Sequence, residues 1–354
     1  FDRSCNKGLN RQKKIMGILG ASEESIIFML ASLLIGANHC ICFEDLSEEA
    51  ICERIKLFQP DIVLYRPKLK YKVEEIKIKL QNSNLQFQNI NLSSFKEGLI
   101  EKIDKFNKIY KFDSNLFTLF TSGSTGLPKA IIHGGKDFFD YAKYTTQYFF
   151  GLKKGSIIFS AVDAGWINGH TYSFYGPLLL GAVSIINENP LLITMPKFLG
   201  KYFEILKPDC FYTSVTSFRL IKSLISKNQS IYDYFENKND KFRPNRIGSC
   251  GEPLAHAVGD WAINFFKPER NSIVNTYFQT ETGGILIAPR DEDKSPNDFS
   301  SVGKLNSKVK IVLASDIKNE SQLKSENLQP NELLICKNWG GIFQKVISDK
   351  EVPS

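Results

Sequence analysis

Nowhere in these 354 residues do two cysteines stand as C-x-x-C, and the seven present (Cys5, Cys40, Cys42, Cys52, Cys210, Cys250 and Cys336) form no paired framework. Small secreted domains depend on such frameworks, so their absence points to a reducing compartment, with cytoplasm as the default. His39, Cys40 and Cys42 share the apolar run HCICF, but neighbouring side chains alternate between the faces of a strand and match no usual zinc-ligand spacing. No metal site is expected there. Uninterrupted apolar spans are missing too. Residues 25–43 come nearest, and Gly36, Asn38 and His39 break them into a buried helix, a glycine stop and a short strand. The first eleven residues carry Asp2, Arg3, Lys7 and Arg11 without an apolar stretch, unlike a usual signal or transit peptide, and a start on Phe1 is consistent with a fragment.

Blocks of one charge are also absent. The formal charge is +7, but acids interleave with the bases, as in KLKYKVEEIKIKL from Lys68 to Leu80. A solvated helix face is expected, with neither a nucleic-acid partner nor a membrane surface. What is present is 42% hydrophobic content, enough for one large core or two medium ones in a globular chain, without repeats or low-complexity segments.

Residues 17–65 alternate short β-rich runs with helical ones: IMGIL, a helix from Ser22 to Leu34, HCICF, the helix SEEAICERIKLF ended by Pro60, and DIVLY. Such alternation is the sequence form of an α/β fold with a largely parallel sheet. Residues 67–114 are charged and weakly periodic, so a helix, a strand and surface loops are expected. A second α/β set runs from Gly155 to about Ile287, with strands near SIIFSA, AVSII, CFYTS, NRIGS and SIVNTY. After Ser300 the runs VKIVLA and ELLICK suggest a small β subdomain. The expected fold is α/β, two mixed and mostly parallel sheets flanked by helices, divided into a core at 1–299 and the start of the β subdomain at 300–354.

Between two apolar runs lies TSGSTGLPK: Thr121, Ser122, Gly123, Ser124, Thr125, Gly126, Leu127, Pro128, Lys129. Its glycines let backbone N–H groups turn toward one anion, its hydroxyls add donors, and Lys129 supplies a point charge for a polyphosphate. It is not a Walker A loop. That loop needs Gly-Lys before Ser or Thr, whereas Lys129 follows Pro128 and Gly135-Lys136 precedes Asp137.

The nine-residue string resembles the phosphate loop of the adenylate-forming superfamily of acyl-coenzyme A synthetases, luciferases and peptide-synthetase adenylation domains. Three more blocks resemble acetyl-coenzyme A synthetases in order and spacing: DAGWINGHTYSFYGPL (163–178), GSCGEPL (248–254) and NTYFQTETGG (275–284). The resemblance implies ATP-dependent activation of a short-chain carboxylate to acyl-AMP, release of pyrophosphate, and thioester formation with coenzyme A. Magnesium and ATP enter as cofactors.

Each role follows from that resemblance. Thr121 to Gly126 and Lys129 hold the phosphates, with Thr280 on the α-phosphate and Glu281 on magnesium, a hard cation suited to a carboxylate. Gly251, Glu252 and Pro253 form the adenine wall, with Asn275, Thr276, Tyr277 and Gln279 beside it. Asn275 stands where the family more often has Asp. Ile167, Asn168, Cys250 and Phe278 line the carboxylate pocket, with three departures: Phe278 for Trp, Asn168 for Thr and Cys250 for Val. A somewhat longer and more polar pocket is implied. His133 and His170 read as packed structural histidines, because attack by an ionised carboxylate on phosphorus needs no general base.

The family's Tyr-x-Thr-Gly-Asp block and its C-terminal domain with a catalytic Lys are not found before Ser354, so the isolated chain is expected to be weakly active or inactive. Two readings stay open: the major domain of a ligase, or a non-catalytic module that binds a nucleotide or acyl-adenylate. Composition says nothing about oligomeric state.

Overall fold

The computed structural model describes residues 12–81, 84–90, 115–122, 128–189, 195–228, 233, 244–269, 273–289, 299, 301–313, 333–335 and 339–348. These fall into two compact units, one of Phe1–Lys136, Asp163–His170 and Phe343–Ser354, the other of Asp137–Val162 and Thr171–Ile342.

In the first unit the alternation read from the sequence is realised: β1 (Lys14–Ile18), α1 (Glu23–Leu34), β2 (Asn38–Cys42), α2 (Glu48–Phe58), β3 (Ile62–Tyr65), α3 (Lys70–Lys79) and β4 (Gln86–Asn89). Ser22 starts α1 with a capping box shared with Ser25, and Ser47 starts α2 by accepting from the Ala50 N–H. Such caps satisfy amide donors that a helix start leaves open. β2 is buried along its whole length, as a strand covered on both faces must be. β5 (Asn115–Ser122) and β6 (Pro128–Gly134) then form an antiparallel pair. Met16, Ile18, Ile51, Phe58, Val63 and Ile76 are among the residues that fill the core between this sheet and α2 and α3.

α4 (Gly135–Phe150) leads into the second unit, where β7 (Ile157–Ser160), a π-helical stretch at Gly169–Tyr175, α5 (Gly176–Leu180), β8 (Val183–Ile185), α6 (Pro196–Leu206), β9 (Cys210–Ser214), α7 (Val215–Ser226), β10 (Arg246–Cys250), α8 (His256–Phe266) and β11 (Ile273–Asn275) follow. Its five-stranded sheet, in the order β11-β10-β9-β7-β8, is parallel throughout. One face packs on an aromatic cluster in which Phe203, Phe211, Phe218 and Phe266 meet with ring centroids 5.2 to 6.0 Å apart. Aromatic pairs of this kind contribute about 0.5–1.5 kcal/mol each beyond their burial.

Two small antiparallel pairs complete the second unit: β12 (Ile287–Ala288) with β13 (Lys304–Leu305), and β14 (Ile311–Leu313) with β15 (Leu333–Ile335). The last strand, β16 (Lys345–Ile347), does not join these hairpins. It pairs antiparallel with β6 in the first unit's sheet, whose order is β16-β6-β5-β2-β1-β3-β4. β16 thereby covers the edge that β6 would otherwise leave unpaired. Among the described residues no helix is long and apolar enough to cross a membrane, and no group of three or more His, Cys, Asp or Glu is placed to hold a metal ion.

Candidate functional site

In the second unit the parallel strands deliver the expected residues to one edge. β9, β10 and β11 end at Ser214, Cys250 and Asn275, and the carboxyl ends of parallel strands are where α/β sheets bind ligands. Past β10 the chain turns at Gly251, whose φ of +90° lies in the left-handed region and whose added Cβ would meet nothing within 4 Å. Pro253 is exposed, while the Glu252 carboxylate turns onto α7, accepting from Thr216 Oγ1 and from Arg219 Nη1, the latter at 2.7 Å. The hydroxyl and then the guanidinium hold the Glu252 carboxyl below its ordinary range.

Past β11 the backbone is pinned to its neighbour. The Thr276 N–H and hydroxyl both donate to the Ser249 carbonyl, at 3.0 and 2.7 Å, and Tyr212 Oη lies 2.8 Å from Thr276 Oγ1. Asn275 is buried, and its amide oxygen already accepts from Ser249 Oγ at 3.0 Å, which leaves one lone pair for a further donor. Tyr277 is exposed at 36%, open to a planar ligand. Gln279 then opens a single 3-10 turn at Thr280–Thr282, closed by reciprocal bonds between Gln279 and Thr282. The turn ends on Gly283 at φ +69°, where an added Cβ would lie 2.0 Å from the Gly341 carbonyl oxygen, so only glycine fits. Thr280 is buried and Glu281 half-buried, and Glu281 forms no ion pair among the described residues. A carboxylate in that state suits a divalent cation. Cys250 and Phe278 belong to one apolar cluster with Tyr172, Val274 and Ile285; Phe278 is half-buried and meets Tyr172 edge-on at 5.6 Å.

In the first unit, Thr121 and Lys129 sit directly opposite one another at the end of the β5–β6 pair, with Ser122 opposite Pro128. Gly123, Ser124, Thr125 and Gly126 lie outside the described residues. What the structure gives is the mouth of the loop, with Lys129 fixed on a strand rather than on a free tether.

The Asp163–His170 segment carries Ile167 and Asn168. Asp163 Oδ1 accepts from the Gly165 N–H at 2.8 Å, the Trp166 N–H returns to the Asp163 carbonyl at 3.2 Å, and a Cβ on Gly169 would strike that carbonyl oxygen. Burial raises the Asp163 carboxyl. Ile167 and Asn168 are 6% and 8% exposed, and Asn168 Oδ1 has no hydrogen-bond partner among the described residues. A buried acceptor without a donor costs about 1–3 kcal/mol, which a ligand hydroxyl in reach would recover.

His133 and His170 are buried, as expected of packed structural histidines, but sequence reasoning missed two features. His39, Phe117 and His133 occupy matching positions on the neighbouring strands β2, β5 and β6, and His170 lies over them. The His39 and His170 rings stack 5.5 Å apart with 9° between their planes, and Phe117 lies 4.5 Å from His170 and 5.1 Å from His133. All three histidines are buried, and desolvation pushes His39 well below its ordinary value and His170 down to about 3. The alternation in HCICF was the available signal: it places His39 on the opposite face from Cys40, but leaves its partners unnamed. The second missed feature is the tie from Glu252 to α7, whose members lie 36 and 33 residues apart in sequence.

Residues 5–330 match the family described as AMP-binding enzyme. The acetyl-coenzyme A synthetase of Shewanella amazonensis is 33% identical over 238 residues, 67% of this chain and 34% of that protein. That of Psychromonas ingrahamii is 38% identical over 174 residues, 49% of this chain and 26% of that protein. The chain therefore spans about a third of the length of the curated relatives it matches. Among solved structures, an acyl-CoA synthetase from Brucella canis superposes with a TM-score of 0.73 at 22% identity, covering 98% of this chain and 61% of its own. A benzoate CoA ligase from Burkholderia xenovorans gives 0.67 at 16%, covering 85% and 57%. At such identities these structures speak for the fold alone.

Proposed function

Because the chain belongs to the AMP-binding enzyme family, we propose that it binds ATP and a short carboxylate and takes part in making acyl-AMP and then an acyl-coenzyme A thioester. The observation that carries the proposal is the strand-end arrangement of the second unit. The turn at Gly251–Pro253 and the run from Asn275 to Glu281 leave adjacent parallel strands at one edge, each pinned by bonds that need no ligand. The proposal seats a nucleoside monophosphate at that edge, with Tyr277 and Pro253 offering flat surfaces to the base and Thr280 a hydroxyl to the α-phosphate.

Lys129 and the loop from Thr121 to Gly126 compensate the charge of the outgoing pyrophosphate. Glu281 is the residue that would hold magnesium, which supplies further charge neutralisation of the phosphates when bound. In the reaction a carboxylate oxygen forms a bond to the α-phosphorus while the bond to the pyrophosphate oxygen breaks. Both reactants are ionised at neutral pH, so no proton moves, and the residues act by position and charge. In the second step the coenzyme A sulfur forms a bond to the acyl carbon while the carbon–oxygen bond to AMP breaks, and the thiol proton passes to solvent.

The finer reading concerns the acid. Phe278 in place of a larger Trp leaves space for one or two more carbons, and the unpartnered Asn168 Oδ1 favours an acid that carries a hydroxyl. Propionate, butyrate or a short hydroxy acid is the proposed substrate class, ahead of acetate. The division into an adenylation core at 1–299 and a small β subdomain from 300, the cytoplasmic location and the lack of nucleic-acid or membrane partners belong to the same proposal.

The test is carboxylate-dependent exchange of labelled pyrophosphate into ATP, with the chain alone and with the C-terminal domain of a family member added in trans. Loss of one transition-state donor costs about 2.7–4 kcal/mol, so the chain alone should exchange roughly a hundred- to a thousand-fold more slowly than the pair. Exchange in neither arrangement, with ATP still bound, would leave the binding-module reading in its place.

A further inference from the structure

We propose that Thr216 and Arg219 on α7 are positioning residues for the base-binding turn Gly251–Pro253, acting through the carboxylate of Glu252. The inference rests on the nucleotide reading above and adds to it how that turn is held.

Both Glu252 oxygens are taken by α7. Oε1 accepts from Thr216 Oγ1, and Oε2 accepts from Arg219 Nη1 at 2.7 Å. One turn further along the helix, Lys222 Nζ donates to the Ala257 carbonyl at 2.5 Å. Residues 216, 219 and 222 follow one another at intervals of three, so a single side of α7 reaches across to the 252–257 segment. The helix itself is firmly seated: Ser214 caps its start, and Val215, Phe218, Ile221 and Ile225 are buried in the second unit's core. A carboxylate tied to such a helix takes its position from the core and not from solvent.

Among the described residues the turn has little else to fix it. Gly251 sits at φ +90°, with open space where a Cβ would point, and the next buried anchor is Leu254 at 3% exposure. Glu252 therefore does not offer its side chain to a ligand. It contributes main chain and geometry, and Pro253 and Gly251 present the open side. Arg219 is half exposed, so the tie is a surface pair, worth modest energy and sensitive to salt.

The experiment measures binding of AMP and of inorganic tripolyphosphate by calorimetry, for wild type, Arg219→Met, Arg219→Lys and Thr216→Val, at 0.1 M and 1 M NaCl. The expected result is AMP affinity about two- to five-fold weaker in Arg219→Met and Thr216→Val, the range for an exposed ion pair. Tripolyphosphate affinity should be unchanged, Lys should recover most of the loss at 0.1 M salt, and the Arg219→Met deficit should shrink at 1 M. A merely structural tie would lower the melting temperature without separating base from phosphate binding. Folded variants that bind AMP as wild type does, or that lose AMP and tripolyphosphate equally, overturn the proposal. Should Arg219→Met fail to fold, Thr216→Val, which keeps the charge pair, carries the test. Wild type that binds no AMP would defeat the nucleotide reading itself, and this inference with it.

Discussion

Acidification should destabilise the first unit, because the buried imidazoles of His39 on β2 and of His170 are held neutral by desolvation. His170 has its folded-state value lowered to about 3, against an ordinary value near 6.5. The sign follows from proton uptake on unfolding. A depressed group contributes its full stability above the unfolded value and loses it as pH falls toward the folded one. Between pH 7.5 and pH 5, 1.5 units below the unfolded value, His170 alone should remove about 2 kcal/mol of unfolding free energy. His39 shifts in the same direction and adds to this. Asp163, raised by burial, acts in the opposite sense below its folded value, so it cannot produce the loss. Urea unfolding followed by tryptophan fluorescence at pH 7.5, 6.5, 5.5 and 5.0 measures the effect, and Trp166, in the segment that holds His170, reports on it. The variant His170→Phe, which keeps an aromatic ring against Phe117, should flatten the pH slope by roughly one proton, about 1.4 kcal/mol per pH unit between 6 and 5. Equal stability at pH 7.5 and 5.0, or the same slope in the variant, would refute the reasoning.

Three further outcomes follow from the site. Lys129→Ala should weaken ATP binding about ten-fold or more, as loss of a charge-assisted contact does, and Glu281→Ala should weaken it only with magnesium present; calorimetry with unchanged affinity in both would discard the phosphate and metal assignments. Phe278→Trp should restore preference for acetate over propionate and butyrate by about 1–3 kcal/mol in a panel of short acids read by exchange or thermal shift; wild type that already favours acetate, unaffected by the change, would remove Phe278 from the pocket. Gly283→Ala should cost about 1–3 kcal/mol or more by overpacking against the Gly341 carbonyl at a positive φ, read as a lowered urea midpoint, and an unchanged midpoint would contradict the close approach.

Much of the fold was legible because strands here are short, β-branched and bounded by breakers. IMGIL, HCICF and DIVLY in the first set, and CFYTS, NRIGS and SIVNTY in the second, each lie on a strand within a residue or two of the reading. The sixteen-residue α4 was not read, since its Phe- and Tyr-rich run is as consistent with strand as with helix. β16 was assigned with its sequence neighbours, and three residues, KVI, hold no signal for an antiparallel partner over two hundred positions away. The candidate site was read as blocks, TSGSTGLPK and NTYFQTETGG, through their resemblance to a family. What was not legible is how the blocks are held. The Ser249–Asn275 bond, the tie from Glu252 to α7 and the histidine stack all join residues brought close only by strand register or by a helix laid beside a turn.

The most direct test of the central claim is the fate of a labelled oxygen. Propionate carrying ¹⁸O in its carboxylate is incubated with ATP, magnesium, coenzyme A, this chain and a family C-terminal domain, and the products are analysed by mass spectrometry. If the carboxylate attacks the α-phosphorus and the thiol then attacks the acyl carbon, one ¹⁸O appears in AMP and none in pyrophosphate. Label in orthophosphate beside ADP, or ATP cleavage with unlabelled AMP, would contradict acyl-adenylate formation.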